Sequence, residues 1–474
     1  MRMGNFIQAG IEGKDRDRTK RFLSTVKPFS IVLLSRDFDD LQDLKALLKW
    51  IRRLYRIELG IDEPFIAVDQ EGGNVARIRE IDYLPSNFAM GVMGIDTYSR
   101  YSGLIAGYQL MNLGIRWNLA PVLDTASNVD NHIVMERSFG QLVDLVGKLG
   151  LSYIEGLQGM GVAATAKHFP GHGYVLEDSH EKLPHDHREI NSVFNGALPF
   201  KLAAKNGVRA TMASHIVYDA IDPDLPASLS SKVYEILRKD FGFEGLAITD
   251  SLDMKAISSN FSVREISGLV AKGGPDVIEC VDMDMAREFF EELNKKTIHQ
   301  LQNRTRRIEN LIPERKFKFS PPSEVMNWIS AGGVRWLRRK NLSPERSLTL
   351  IFLNSTFVAE KSWPFKLRSL IEDRIKQLDI NLRVTTLDSH RPIRNDQIII
   401  IGKNLHLGEK WQIIGRICEG KDCVFLSTGM PVDSGLLDKR IGYIYSGGEK
   451  YESIIAAIFV ILGFFDPFVG TSQC

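Results

Sequence analysis

Along the first two thirds of the chain, short β-branched runs alternate with longer segments in which leucines and aromatics recur every three or four residues. The runs fall at residues 29–34, 65–68, 119–123, 162–166, 208–213, 245–248 and 275–278, and clear helical-period segments at 98–113, 142–160, 232–241 and 263–272. Such repetition predicts βα units and a parallel sheet. Seven or eight units suit a closed (β/α)8 barrel better than a doubly wound open sheet, which usually needs fewer strands. After residue 312 the character changes. A Pro- and charge-containing stretch at 313–324 leads to a segment of helical period at 325–339, then to strand-like runs at 347–354, 381–386 and 397–402. A chain of 474 residues is too long for one ordinary domain. The expected fold class is α/β: a (β/α)8 TIM-type barrel over residues 1–325, followed by a smaller C-terminal α/β domain over 326–474.

Ionisable residues follow the apolar runs. Asp69 closes 65–68, Asp124 closes 119–123, Lys167 and His168 close 162–166, His215 follows Ala213, and Asp250 follows Ile248. In a barrel these positions face one mouth, where catalytic groups converge from separate strands. Any one of the aspartates could equally be a helix N-cap or a solvated strand end. Together they point to an active site at that mouth. The densest cluster is Lys167-His168-Phe169-Pro170-Gly171-His172-Gly173 with Asp178-Ser179-His180. Stability alone gives no reason to place so many ionisable groups after a buried strand, so this reads as a catalytic loop on a rigid scaffold, with Gly171 and Gly173 as hinges.

Charge and composition narrow the partners. With 60 basic against 59 acidic residues there is no net field to hold a polyanion, which argues against nucleic acid and for a small or neutral substrate. The four cysteines are too few and scattered for a disulfide framework and lack zinc-ligand spacing. No cofactor is called for, and no oligomeric state is implied. Residues 454–465 form an apolar run too short to span a bilayer and read as a buried C-terminal helix. The first fifteen residues carry charges and no signal-like apolar stretch, so the expected compartment is the cytoplasm. His168 and His172 have the i,i+4 spacing of a helical metal site, but Pro170 and Gly171 between them oppose a helix, and no metal is expected.

Cleavage of an acetal needs one group to protonate the departing oxygen and a carboxylate to meet the oxocarbenium-like carbon. Asp250, in Thr249-Asp250-Ser251-Leu252-Asp253-Met254, is a candidate for the second role, although a plain strand end would look the same. Asp178 and His180 form a candidate carboxylate–imidazole pair in which Asp178 orients the ring and stabilises its protonated form.

These residues carry a family resemblance. Asp69-Gln70-Glu71-Gly72-Gly73, Asn118 to Asp124, Arg137-Ser138-Phe139-Gly140, the Lys167 to Gly173 loop with Asp178-Ser179-His180, Pro226 to Ser230 and Thr249 to Met254 resemble the β-N-acetylhexosaminidases of glycoside hydrolase family 3. The Asp-Ser-His ending marks the N-acetylglucosaminidase branch. The resemblance implies a retaining mechanism with Asp250 as nucleophile and His180 as acid/base, paired with Asp178. It implies Asp69, Arg77, Arg137, Lys167 and His168 as substrate-binding residues, with Asp124 supporting the same site, and a small carbohydrate as the partner. The chain departs from the family at Asn74, where Arg is common, and at Gln141-Leu142, where an acidic-Pro pair is usual. Two other readings stay open: a broader β-glycosidase acting on glucosides or xylosides, and a non-catalytic sugar-binding protein. The latter is expected to lack Asp250 or His180, and both are present.

Overall fold

The computed structural model describes residues 3–81, 84–128, 131, 133–177, 182–297, 299 and 301–317, and toward the C-terminus residues 335–338, 342, 348–352, 382–386, 397–402, 414, 416–427, 441–445, 457 and 461. Chain contacts divide it into two units, Met1–Asp82 with Gly94–Pro321, and Tyr83–Met93 with Pro322–Cys474.

The first unit is a closed, all-parallel barrel. Its strands are β1 (Ile7–Ala9), β2 (Ser30–Leu33), β3 (Phe65–Val68), β4 (Trp117–Asn118), β5 (Ala163–Phe169), β6 (Ala210–Ala213), β7 (Leu246–Ser251) and β8 (Val277–Cys280), paired in chain order with β8 returning to β1. One principal helix follows each strand: α1 (Arg16–Val26), α2 (Leu41–Arg53), α3 (Asp96–Leu113), α4 (Val143–Gly159), α5 (Leu198–Lys205), α6 (Ser231–Lys239), α7 (Val263–Lys272) and α8 (Met283–Asn294). The barrel expected from the alternation is the fold observed. Five of these helices start on side-chain caps that satisfy otherwise orphaned amides: Asp15, Asp40, Ser230, Ser262 and Asp282. Ser262 forms a reciprocal capping box with Glu265. Helices α3 and α4 approach backbone to backbone. Gly103 and Gly156 lie against the carbonyls of Tyr153 and Arg100, where a β-carbon would collide.

Two strands differ from the sequence reading. β1 is only three residues long and interrupted by Gln8, so it made no apolar run. The fourth strand is confined to Trp117–Asn118, short of the run 119–123: Pro121 has no amide to give a regular ladder. Past Asn118 the pairing continues as the isolated bridge Val122 to Lys167 and single backbone hydrogen bonds, from the Thr165 amide to the Ala120 carbonyl and from the Leu123 amide to the Lys167 carbonyl.

Inward-facing residues alternate along each strand. Val32, Ala67, Trp117, Ala163, Ala210, Leu246, Ile248 and Val277 belong to one buried cluster that fills the barrel. Two positions further along their strands, Asp69, Asp250 and Glu279 occupy the next layer, with Lys167 four beyond Ala163. The fill therefore changes from apolar to ionisable at the C-terminal end of the strands.

In the second unit the described strands form one six-stranded sheet. They are β9 (Arg335–Arg338), β10 (Leu348–Phe352), β11 (Leu382–Thr386), β12 (Gln397–Gly402), β13 (Asp422–Ser427) and β14 (Gly442–Tyr445), in the order β9-β14-β13-β12-β10-β11. All pairs are parallel except β9 with β14. Ile398 to Ile401 are all buried, as expected of a central strand covered on both faces. The helical period read at 325–339 is overturned where it is described, since Arg335–Arg338 is an edge strand. Of the run 454–465, only Ala457 and Ile461 fall within the described residues, and both are buried.

Candidate active site

Bulges shape the two strands that carry most of the site. Along β5 and β6, Lys167 pairs with Met212 and Phe169 with Ala213, so two residues of β5 oppose one of β6. The extra residue lets consecutive side chains, Lys167 and His168, both reach site partners, which a regular strand forbids. Between β7 and β8 the register slips in the same way, from Ile248 with Val277 to Ser251 with Glu279, around Asp250.

Lys167 is 2% exposed, and its Nζ lies 2.7 Å from Asp69 Oδ1 and 2.7 Å from Glu71 Oε1. Arg137 grips Glu71 bidentately through Nε and Nη2, both at 2.9 Å. Arg77 Nη2 approaches Asp69 Oδ2 at 3.4 Å. Two carboxylates and three cations thus alternate in a chain from β3 to the loop of Arg137. Burial works to raise both carboxyls, but Lys167, Arg77 and Arg137 outweigh it at Asp69, and Arg137 and Lys167 at Glu71, so both lie below the usual range. Burial likewise opposes the Lys167 charge, and Asp69 and Glu71 reverse this and raise it.

Asp124 is fully buried with both oxygens engaged. Oδ1 accepts from the amides of His168 and His172 at 3.1 and 2.7 Å, and Oδ2 from His168 Nδ1 at 2.7 Å. An ionised carboxylate only accepts, so Nδ1 carries the proton and Nε2 faces Arg137 Nη2 at 3.5 Å. Asp124 therefore holds the loop and the His168 ring from behind. Gly173 packs on the Thr125 carbonyl, where a β-carbon would collide, so it is a close-contact glycine rather than a hinge. The pair read as a metal spacing, His168 and His172, lies on a strand end and its turn, not on a helix.

Asp250 receives the Ser251 amide on Oδ1 at 2.7 Å. Burial acts to raise its carboxyl and is outweighed by the His215 and His168 rings, this amide and Lys167, which together keep it below the usual carboxylate range. His215 is itself fully buried: Nε2 donates to the Ser251 carbonyl at 2.9 Å and Nδ1 meets Ser228 Oγ at 2.7 Å. A carbonyl only accepts, which fixes this tautomer and braces the Asp250 backbone. Burial also lowers the His215 pKa.

Asp69, Arg77, Asp124, Arg137, Lys167, His168 and Asp250 are thus linked by direct contact or by charge at one mouth. Asp178 and His180 lie outside the described residues. His185 and His187 instead share the exposed Asp219. Among the described residues at this mouth, two buried carboxyls escaped the sequence reading. Glu71 sits inside a motif already singled out, and Glu279 follows the last apolar run as Asp69 and Asp250 follow theirs, which was the available signal.

The model of the glycosyl hydrolase family 3 N-terminal domain matches residues 2–311. The chain belongs to glycosyl hydrolase family 3. It is a glycoside hydrolase, and the resemblance carried by its motifs holds. A relative from Thioalkalivibrio sulfidiphilus named β-hexosaminidase is 33% identical over 298 residues, covering 61% of this chain and 84% of that protein. Among solved structures, NagZ from Neisseria gonorrhoeae in complex with N-trifluoroacetyl-D-glucosamine is 28% identical, with a TM-score of 0.57 over 68% of this chain and 92% of that one. A family 3 β-N-acetylglucosaminidase from Paenibacillus sp. str. FPU-7 shares the fold across both units. Its TM-score is 0.85 at 24% identity, covering 98% of this chain and 96% of that one. No described helix is long and apolar enough to cross a membrane.

Proposed function

We propose that this member of the family is a retaining exo-β-N-acetylglucosaminidase whose chemistry lies in the barrel, residues 1–325, and whose compartment is the cytoplasm. Asp250 attacks the anomeric carbon and forms a covalent glycosyl-enzyme, while protonated His180, paired with Asp178, gives its proton to the departing oxygen. Neutral His180 then takes a proton from water, which displaces Asp250. The observation that carries this reading is Asp250 itself: a carboxylate on the bulged, inward end of β7, kept ionised among Lys167, His168 and His215. Asp69, Lys167, Arg77 and Arg137 supply the donors and acceptors that a polyhydroxylated ring needs, with His168 set by Asp124. The β-hexosaminidase name of the relatives supports the choice of sugar.

A histidine acid/base has a further consequence. After giving up its proton it is neutral and does not repel an anion, so phosphate can compete with water for the glycosyl-enzyme and yield the sugar 1-phosphate. The reaction class is tested with aryl β-glycosides of N-acetylglucosamine, glucose and xylose, following the product anomer by NMR. Hydrolysis of the N-acetylglucosaminide with initial release of the β-anomer is expected. Faster glucoside or xyloside cleavage would favour the broader β-glycosidase reading, and an initial α-anomer would overturn retention.

A further inference from the structure

Glu279, on β8, is a carboxyl that the mechanism above leaves unused. Val277, two residues before it, lies in the barrel fill with Ala67 and Ile248. By the two-residue alternation of a strand Glu279 faces the same interior, one layer nearer the mouth and beside Asp250. It is 5% exposed, and its Oε2 is buried without a hydrogen-bond partner among the described residues. The charged groups that face it are Asp69 from β3, Lys167 from β5, and Asp250 and Asp253 from β7 and the turn after it. Its other neighbouring strand, β1, brings Gln8 in register. Gln8 donates Nε2 to Ser30 Oγ at 2.9 Å and has a buried, unpartnered Oε1. A buried polar atom left unpaired costs about 1–3 kcal/mol, so two of them on paired positions of adjacent strands, below the charged mouth, call for a partner.

We propose that Glu279 is a substrate-contacting residue on the floor of the pocket, hydrogen-bonded to a hydroxyl of the bound sugar close to the carbon that Asp250 attacks. The proposal rests on the glycosidase reading. Among the described residues Lys167 is the ammonium facing Glu279, and it is already divided between Asp69 and Glu71, each at 2.7 Å. Burial, then the Asp69 and Asp250 charges, push the Glu279 carboxyl well above its usual range. In the proposed role it acts as a carboxylic acid, with one O–H to donate and a carbonyl oxygen to accept. That is the complement of a hydroxyl. Its ionisation removes the donor and sets a third negative charge beside Asp69 and Asp250, so binding weakens on the alkaline side.

The test compares E279Q, which keeps a donor and an acceptor and cannot ionise, with E279M, which keeps neither. With 4-nitrophenyl N-acetyl-β-glucosaminide, E279M is expected to raise KM and lower kcat/KM about tenfold, the loss of one neutral hydrogen bond, and E279Q to recover most of it. E279Q is also expected to lose one ionisation from the alkaline fall of kcat/KM. In enzyme carrying carboxyl-13C glutamate, one resonance absent from E279Q should remain protonated at pH 7. Both variants matching wild-type KM at every pH would overturn the proposal, as would a Glu279 resonance titrating in the ordinary carboxylate range. If the panel selects another glycoside, the same comparison runs on that one. Failure of the N-acetylglucosamine reading then appears in the panel and failure of this proposal in the variants.

Discussion

Replacing Lys167 by methionine tests whether the alternating charges at the mouth hold together as described. Methionine keeps much of the volume and removes the charge. Glu71 retains its bidentate Arg137, whereas Asp69 is left with Arg77 at 3.4 Å. Removing one partner of a buried ion pair costs roughly 3–5 kcal/mol, and the surviving Arg137 places this case near 3. At about 2–4 °C per kcal/mol for a domain of this size, the barrel should melt on the order of 6–12 °C lower near pH 7. The pH dependence carries the sharper sign. In the intact site Asp69 and Glu71 are held below their unfolded values, so their contribution is full above about pH 4 and fades as pH falls. Without Lys167, burial raises both carboxyls, and the penalty is felt at neutral pH and relieved by protonation. Calorimetry of the full chain between pH 4 and 7 should therefore show a deficit that is largest at pH 7 and narrows toward pH 4. An equal deficit at both ends, or less than about 1 kcal/mol at pH 7, refutes the reasoning.

Three further outcomes are expected. His180→Ala should slow aryl glycosides in proportion to leaving-group pKa, sparing activated ones, while Asp250→Ala abolishes both; equal losses for every aglycone would contradict the acid role. In concentrated phosphate, chromatography should detect N-acetylglucosamine 1-phosphate beside the free sugar, and free sugar alone would refute the open acceptor site. His172 is 1% exposed, and burial, reinforced by His168, holds its pKa at about 4. The unfolded chain protonates first, so stability present above about pH 6.5 falls as pH drops toward 4. His172→Gln should flatten that part of the melting profile, and an unchanged slope would count against it.

The barrel was legible because each unit repeats the same two periods, and the mouth because Asp69, Lys167, His168 and Asp250 interrupt apolar runs at corresponding strand ends. What escaped depends on distant partners. β1 has three residues and a glutamine, and is a strand only because β2 and β8 pair with it. Residues 335–338 carry a local helical period that pairing with β14 overrides. Glu71 and Glu279 read locally as ordinary acidic residues. Their character comes from burial beside Lys167, which is 96 and 112 positions away by the numbering. Register slips at Lys167–Phe169 and Ile248–Ser251 likewise leave no mark in the apolar pattern.

The most direct measurement is covalent trapping. An N-acetylglucosaminide carrying fluorine at C5 slows breakdown of the glycosyl-enzyme, and mass spectrometry of digested protein then locates the ester. The account predicts one added sugar, on the peptide containing Leu246–Ser251, fragmenting to Asp250. A sugar esterified to any other residue, or steady turnover of the probe with no adduct at all, would contradict it.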